Sequence, residues 1–368
     1  MTTTTASASK QGTGISSRTW WTIILIGLAI AAVAVYYFFP REAQAVYANT
    51  IRQSTPLVLG ALCGLIGERS GIINIGIEGQ MLMAAFLAFM TNVYLGQLLP
   101  NVPLALILFA AVGVGVLSGA LIGLFLAWMS VTLKMDQIIG GTVINTLALG
   151  LTSYFYVVGL TTRGKIPTMP LGPLADIPLI GPVLFNNPPI TYLTIILVFV
   201  IQFGLFRTVW GLRTRSVGEH PSAADTVGIK VHRTRYFNVT LAGAFAGLAG
   251  AYLTLEAVGS FERAMTNGRG FVALAVMIFG RWTPLGAWGA ALLFGLFSAL
   301  STQFQFWGVN VPHQFIGMMP YLLTIIVLAG VGGRARPPAA IGQVYELSLI
   351  HISEPTRPPS TSRMPSSA

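Results

Sequence analysis

The sequence predicts an all-α fold, a polytopic membrane bundle of about ten transmembrane helices. Hydrophobic residues make up 54% of the 368-residue chain, charged residues only 9%, and the mean hydropathy is +0.73. A soluble domain carries about 25% charged residues. Long apolar runs recur along almost the whole chain, separated by short polar or glycine- and proline-rich stretches. These observations exclude an ordinary soluble domain.

The apolar runs, taken in chain order, give the expected spans. They lie at about 20–39, 54–66, 79–99, 103–130, 137–160, 190–206, 236–257, 270–280, 284–305 and 314–332. A membrane-spanning helix needs about 20 apolar residues, and about 17 is the usual minimum. The runs at 54–66 and 270–280 are shorter, so each must borrow flanking residues or belong to a broken helix. Ten spans are the preferred count, with nine or eight as alternatives.

Lysine and arginine are enriched in cytoplasmic loops, so their distribution predicts the orientation of the bundle. Ten spans would place both termini in the cytoplasm, with the loops at 67–71, 131–136, 207–235 and 281–283. The outer loops would include the proline-rich 161–189 and would carry Arg41 and Arg52. Basic residues therefore occur on both sides, and the predicted orientation depends on the long basic loop 207–235.

The formal net charge of +10 does not predict nucleic-acid binding, because the basic residues sit at the ends of apolar runs. Cys63 is the single cysteine, so neither a disulfide framework nor a cysteine metal site is expected. No metal site and no catalytic residue is predicted. Residues 1–18 are rich in threonine and serine and are expected to form a disordered cytoplasmic lead.

Glycines recur at the spacing that lets membrane helices approach closely. They are Gly60 and Gly64; Gly115, Gly119 and Gly123; and Gly243 and Gly247. Each of the two short runs also ends in a glycine followed by a polar break, at Gly67–Gly71 and Gly280–Gly286. Paired interrupted segments of this kind favour an internal repeat with a substrate route at the breaks.

The block from Gly67 to Leu82, GERSGIINIGIEGQML, places polar residues between two apolar runs. Such groups are costly at membrane depth and usually face a cavity or a partner. Asn74 and Glu78 would share a face if the stretch were helical, whereas its glycines favour an interrupted backbone. We expect Asn74, Glu78 and Gln80 to line a translocation route, or else to position the helix at the interface. Asn145 is a further candidate, with an interhelical hydrogen bond as its alternative role.

The basic loop contains the stretch GLRTRSVGEHPSAADTVGIKVHRTRY, from Gly211 to Tyr236. Pro221 can open a helix there and Gly228 can close it. About two turns result, too short to be stable alone, so this helix must pack against something. Its shape suits docking of a soluble partner; an ordinary basic cytoplasmic loop is the alternative.

Two segments resemble one family. VGEHPSAADTVGIKV is similar to the cytoplasmic coupling loop of permease subunits of bacterial ATP-binding-cassette (ABC) importers for nucleosides and simple sugars, and the block at 67–82 resembles the family's GxxNIGxEGxM segment. The resemblance implies that the loop contacts an ATPase subunit. The residues expected in this contact are Gly218, Glu219, Pro221, Ala223, Ala224, Asp225, Gly228 and Ile229.

The resemblance also implies the rest of the assembly. We expect two permease chains, identical or related, two ABC ATPase subunits and an extracytoplasmic solute-binding protein, in the lipid of the bacterial inner membrane. The chain has no Walker A motif, so it holds no cofactor itself and another chain would bind ATP. A branched-chain amino acid permease is the main alternative, followed by a channel or a membrane enzyme. A channel would need no coupling loop, and an enzyme would need clustered acids or histidines facing one cavity.

The predicted domains follow from these segments. Residues 19–335 form the transmembrane permease domain, with its coupling loop at 207–235, and residues 336–347 form a cytoplasmic C-terminus. Residues 348–368 contain the run IHISEPTRP, which looks like a translated sequencing adapter, and are expected to add nothing to fold or function.

Overall fold

The computed structural model describes residues 34–178, 180–307 and 336–345, with the single positions Met318, Leu322 and Ile325. Helices dominate these residues and are numbered here in chain order. They are α1 (Pro40–Arg69), α2 (Ile77–Leu98), α3 (Leu104–Ala127), α4 (Gln137–Phe155), α5 (Ile180–Leu184), α6 (Pro189–Arg207), α7 (Val209–Glu219), α8 (Pro221–Thr226), α9 (Val231–Ala251), α10 (Arg269–Phe279) and α11 (Pro284–Phe306). π-Helical turns extend α3 over Trp128–Thr132 and α9 over Tyr252–Val258.

Six helices of the described residues are long and apolar enough to cross a membrane. They are α2, α4, α6 and α11, together with α3 and α9 in their extended forms. The predicted all-α membrane bundle is therefore confirmed, and the chain is a multi-pass membrane protein. The predicted runs at 20–39 and 314–332 lie largely outside the described residues, so the count of about ten spans stays a prediction.

Helix α1 departs most from the sequence prediction. Arg41 and Arg52 were expected in an outer loop, but both lie within this 30-residue helix. Pro40 suits the first helical turn, where its missing N–H would be unpaired anyway, and the alanine-, glutamate- and glutamine-containing residues that follow favour a helix. The short run 54–66 is thus extended into a long helix by the polar residues that precede it. The other short run forms α10, which has only 11 residues.

Helices α3 and α9 touch through their backbones at the predicted glycines. A Cβ atom added to Gly119 would lie 2.3 Å from the carbonyl oxygen of Gly243 and 2.5 Å from Cα of Gly247. No side chain fits at such a contact, and close approach of this kind increases dispersion attraction between helices. The prediction that these glycines form a helix interface is confirmed. Extended α9 is also the most buried of the six candidate spans, at 78%.

The loops that were predicted to share one side meet at the end of the bundle that carries α8. The guanidinium of Arg69 donates from Nε and Nη2 to the carbonyl oxygen of Trp282, at 3.0 and 2.8 Å. The hydroxyls of Thr132 and Tyr236 lie 2.5 Å apart. Arg235 Nε, at the end of loop 207–235, donates to the carbonyl of Ser70 at 3.2 Å. Loops 67–71, 207–235 and 281–283 therefore meet as predicted, and Thr132 of loop 131–136 contacts Tyr236 directly after loop 207–235. We call this the α8 end.

The proline-rich loop 161–189 lies at the opposite end. The amide of Ile166 donates to the carbonyl of Leu255 at 2.7 Å, near the close of extended α9. Because that helix has 28 residues, its two ends are about 42 Å apart. The loop contains α5 and a two-stranded antiparallel sheet, in which Met169–Pro170 pairs with Asn186–Asn187.

Candidate functional site

The predicted short helix of the basic loop is present as α8, with its expected start and stop. Pro221 occupies the first helical position. Gly228 has φ +84°, a left-handed conformation that glycine adopts without strain, and its amide donates to the carbonyl of Asp225 at 2.9 Å. The sequence therefore predicted this element correctly within one residue.

Helix α7, which precedes α8, was not predicted. Its N-cap is Thr208, whose hydroxyl accepts a hydrogen bond from the amide of Gly211 at 3.4 Å. Asn238 ties α7 to α9: its Oδ1 accepts from the Trp210 indole at 2.9 Å, and its Nδ2 donates to the Thr214 hydroxyl at 3.1 Å. The loop is therefore a folded helical unit held on the start of α9.

The predicted coupling residues divide into an outer and an inner group. Ala223 and Gly228 are exposed, as are Ser222 and Val227, which is 74% exposed. Ala224, in contrast, is 3% exposed and packs with Val217, Val231, Ile229 and Tyr345. Substitution of Ala224 would therefore disturb the protein's own packing first, whereas the surface free for a partner is formed by residues 222, 223 and 227.

Gly218 and Glu219 face other parts of the chain. A Cβ atom on Gly218 would lie 2.2 Å from the carbonyl oxygen of Arg69, so only glycine permits this backbone contact. The Glu219 carboxylate accepts from the amide of Ala339 at 3.1 Å. Pro221, Asp225 and Ile229 are half-buried between the two groups.

The block at 67–82 has the interrupted backbone that its glycines favour. Helix α1 ends at Arg69, and α2 begins only at Ile77. Asn74 lies in the irregular stretch between them and is fully buried, as is Gln80. The Asn74 amide donates to Gln80 Oε1 at 3.1 Å and to Cys63 Sγ at 3.4 Å. Asn74 and Glu78 therefore do not share a helix face.

Asn145, on α4, binds the same irregular stretch. Its Oδ1 accepts from the amide of Gly79 at 2.7 Å, and its Nδ2 donates to the carbonyl of Ile75 at 3.0 Å. Backbone groups at membrane depth need such partners, because lipid offers none. Asn145 therefore satisfies the backbone freed by the interruption, and the expected role of an interhelical hydrogen bond is confirmed. Its place on a translocation route stays a prediction.

Glu78 joins α2 to the N-terminus of α10. Its carboxylate accepts from the amide of Gly268 at 2.8 Å and from the amide of Gly270 at 2.6 Å. A carboxylate is favourable there, because the first amides of a helix are unpaired and carry partial positive charge. Of the four predicted route residues, the structure thus pairs Asn74 with Gln80, whereas Asn145 and Glu78 each bind backbone amides of neighbouring segments.

A cavity of about 1020 Å³ opens at the end opposite α8. Asn49 and Gln53, four residues apart on α1, line one wall, and Asn267 lines another. The side-chain amides of these three have no hydrogen-bonded partner within the described residues. Since Gly268 is the residue after Asn267, Glu78 lies directly behind this wall. The cavity therefore presents amide donors and acceptors, and it is also lined by four basic and two acidic residues: Arg52, Lys165, Arg263, Arg269, Glu256 and Glu262.

Glu256 also lines the cavity and acts much as Glu78 does. Glu256 is only 4% exposed. Its carboxylate accepts from the amides of Ile190 and Thr191 at 2.8 and 3.2 Å, and from the Thr191 hydroxyl at 2.7 Å. It therefore caps the start of α6. The sequence gives no sign of this contact, because the two segments are 65 residues apart.

Comparison with known proteins identifies the family. Residues 46–328 match the family described as branched-chain amino acid transport system / permease component. The chain belongs to this family. It is therefore a permease component of a transport system, as the two sequence segments indicated.

Three relatives of this permease component are named transport subunits. The guanosine ABC transporter permease protein NupQ of Bacillus subtilis is 40% identical, over 80% of this chain and 94% of the relative. The nucleoside ABC transporter permease protein NupC of Lactococcus lactis is 39% identical, over 82% and 96%. The putative glucose ABC transporter permease protein TsgC13 of Haloferax volcanii is 33% identical, over 82% and 97%. No solved structure gives a significant match.

The functional elements of the permease component that sequence reasoning missed are polar residues with distant partners. Asn49 and Gln53 sit in a stretch that was taken for a loop, so their shared helix face was not visible. A spacing of four residues was the available signal. Tyr345 and Arg235 gave no signal at all, because their partners lie far away in the chain.

Proposed function

We propose that this permease component serves an ABC importer for nucleosides, with simple sugars as the second solute class. The observation that carries the proposal is the identity of 40% and 39% with permeases named for guanosine and for nucleosides, over at least 80% of the chain. The amide groups of Asn49, Gln53 and Asn267 in the cavity agree with it, because amides hydrogen-bond hydroxyls and base edges, although charged residues line the same cavity.

In the proposed mechanism, α8 receives the movement of a separate ATPase subunit. Exposed, small or apolar residues at 222, 223 and 227 form the docking surface, and exposed Arg213, Lys230 and Arg233 make its surroundings basic. The buried contacts of Ala224 and Gly218 fix α8 to the bundle. ATP is bound by the partner subunits, and a second permease chain and an extracytoplasmic binding protein complete the importer.

The proposed route leads from the cavity towards the block at 67–82 by alternating access. In the conformation described here, Asn74 and Gln80 are paired and fully buried. We interpret this as the closed side of the route. Opening would separate Asn74, Gln80, Glu78 and Asn145 from their present partners and expose them to the solute.

The proposed topology retains about ten spans, an inner-membrane location and cytoplasmic termini. Within it, residues 19–335 form the permease domain with its coupling loop at 207–235. Residues 1–18 and 336–347 lie in the cytoplasm, and 348–368 is an added tail. The meeting of the predicted inner loops 67–71, 207–235 and 281–283 at the α8 end supports this arrangement.

Uptake into proteoliposomes tests the function. The permease would be reconstituted with the ATPase subunits, second permease chain and binding protein encoded beside it, with ATP inside. We expect ATP-dependent uptake of labelled guanosine that unlabelled nucleosides compete away. The family description favours branched-chain amino acids as the alternative, so labelled leucine and glucose are measured in parallel. Uptake of leucine without guanosine would overturn the proposal. Uptake of glucose alone would mean that the importer transports simple sugars.

A further inference from the structure

The C-terminal residues 336–345 form a segment that lies across the α8 end, which we call the strap. The amide of Ala340 donates to the carbonyl of Gly218 at 2.9 Å, and the amide of Gly342 donates to the carbonyl of Gly71 at 3.0 Å. Gly342 itself has φ +74°, the left-handed conformation that suits glycine. The strap therefore joins the end of α7 to the interrupted backbone after α1.

Arg235 lies beneath the strap and depends on it. The side chain is 1% exposed. Its Nε donates to the carbonyl of Ser70 at 3.2 Å, and its Nη1 donates to the carbonyl of Gln343 at 3.0 Å. A buried guanidinium is tolerated only where carbonyls or acids accept its hydrogens. Nη2 has no hydrogen-bond partner among the described residues, so removal of the strap would expose the guanidinium or leave Nη1 unpaired as well.

Tyr345 connects the strap to α8 itself. Its ring packs with Val217, Ala224 and Val231, and its hydroxyl lies near the Asp225 carboxylate. Burial and the neighbouring Asp225 carboxylate raise the pKa of the Tyr345 hydroxyl above its ordinary value. The hydroxyl therefore stays protonated at neutral pH beside the carboxylate.

Helix α8 cannot hold its own position. It has six residues, and a helix this short is not stable in water without tertiary contacts. Its one buried residue, Ala224, has Tyr345 among its neighbours. The strap thus supplies part of the inner surface on which α8 rests, while residues 222, 223 and 227 stay exposed on the other side.

We propose that the strap is a positioning element that holds α8 and transmits its displacement to residues 70–76. The inference rests on the proposed function of α8 as the ATPase contact. Two connections reach the same place: Gly218 touches the backbone of Arg69 directly, and Gly342 binds Gly71. The stretch that follows carries Asn74, so a push on α8 would act at the proposed closed side of the route.

The test compares five variants of the complete transporter with the wild type in proteoliposomes. Tyr345→Ala removes the ring and the hydroxyl, Tyr345→Phe removes the hydroxyl alone, and a chain ending after Arg336 removes most of the strap. Val344→Ala is the matched control, because this neighbouring side chain is 41% exposed. A chain ending after Glu346 retains the strap and controls for loss of the tail. Hydrogen exchange of the α8 amides, ATPase co-purification and solute transported per ATP are measured.

We expect Tyr345→Phe to speed exchange of the α8 amides by up to about fivefold, the effect of losing one polar contact of the hydroxyl near Asp225. Tyr345→Ala should speed it further, and exchange in the middle of α9 should not change. ATPase subunits should still co-purify, while solute transported per ATP falls in proportion. Val344→Ala and the chain ending after Glu346 should behave as wild type.

Two results would overturn the proposal: α8 exchange that is unchanged in Tyr345→Ala, or faster exchange with an unchanged ratio of solute to ATP. If the chain ending after Arg336 does not accumulate, the Tyr345 substitutions carry the test. Failure of wild-type transport with every solute would refute the proposed function instead. The exchange measurement would then still decide whether the strap positions α8.

Discussion

The indole Nε1 of Trp282 donates a hydrogen bond to the Glu68 carboxylate at 2.5 Å, and both side chains are buried. Glu68 lies one residue before α1 ends, and Trp282 lies in the break between α10 and α11, with φ +52°. This contact joins the two glycine-flanked breaks that the sequence paired. The internal repeat that such a pairing favours stays a prediction.

Trp282→Phe should destabilise the protein by about 1–3 kcal/mol, because the buried Glu68 carboxylate loses a donor. Thermal unfolding in detergent measures the change, and uptake should fall with it. Trp288→Phe is the matched control, since Trp288 is half-buried and contacts Phe199 through its ring. Equal melting temperatures for the two variants would contradict the assigned role.

Gly119→Ala should separate α3 from α9 and cost about 1–3 kcal/mol through overpacking. The added Cβ would meet backbone atoms on α9, which cannot move aside as a flexible side chain can. Gly113→Ala is the control on the same helix, because nothing lies within 4 Å of its added Cβ. Thermal unfolding of both variants provides the comparison; a stable Gly119→Ala protein would show that the interface can open.

Val227→Arg should abolish co-purification of the ATPase subunits while leaving thermal stability unchanged, because this side chain is 74% exposed on the proposed docking surface. Ala224→Arg should lower stability as well, since it places a charge among buried apolar side chains. Val344→Arg, exposed at the same end, controls for added charge. If the ATPase subunits still co-purify with Val227→Arg, the ATPase contacts a different surface of the permease.

Glu78→Gln should weaken the start of α10 by about 1–2 kcal/mol, because the amide nitrogen cannot accept from Gly268 or Gly270 as the carboxylate does. Glu262→Gln, exposed in the loop before α10, is the control. The two midpoints of thermal unfolding should differ by several degrees. Identical midpoints would mean that the cap contributes nothing.

Asn74→Cys, in a Cys63→Ala background, should react with water-soluble thiol reagents in one nucleotide state and resist them in another. Asn74 has no exposed surface in the conformation described here, so a reaction requires opening of the route. Labelling rates are measured with and without ATP. Protection in every nucleotide state would make Asn74 a packing residue.

The sequence predicted the apolar helices closely, because lipid burial requires continuous apolar runs. The runs at 190–206 and 284–305 became Pro189–Arg207 and Pro284–Phe306. α8 was predicted for a different reason, since Pro221 and Gly228 determine local backbone geometry. Both kinds of signal are local, and they account for most of the described helices.

The missed features depend on contacts between distant residues. The N-terminal part of α1 is polar, so no apolar run revealed it; Arg52 is held there by the Asn186 carbonyl at 3.2 Å. The sequence of the strap indicates a proline-containing coil. Its position becomes clear only from contacts such as that of Gln343 with Arg235, 108 residues away. No single-sequence pattern contains such pairings.

The glycine contact between α3 and α9 limits how the bundle can change shape. Sliding one helix along the other would press Gly119 against backbone atoms of its neighbour at every step, so a shear motion there is blocked. The two helices must rotate as one rigid body. Helices α3 and α9 would then bend at the π-helical turns that end them. These turns are Trp128–Thr132 at the α8 end and Tyr252–Val258 beside the cavity. We therefore expect α3 and α9 to bend near their π-helical ends rather than at the glycine contact between them.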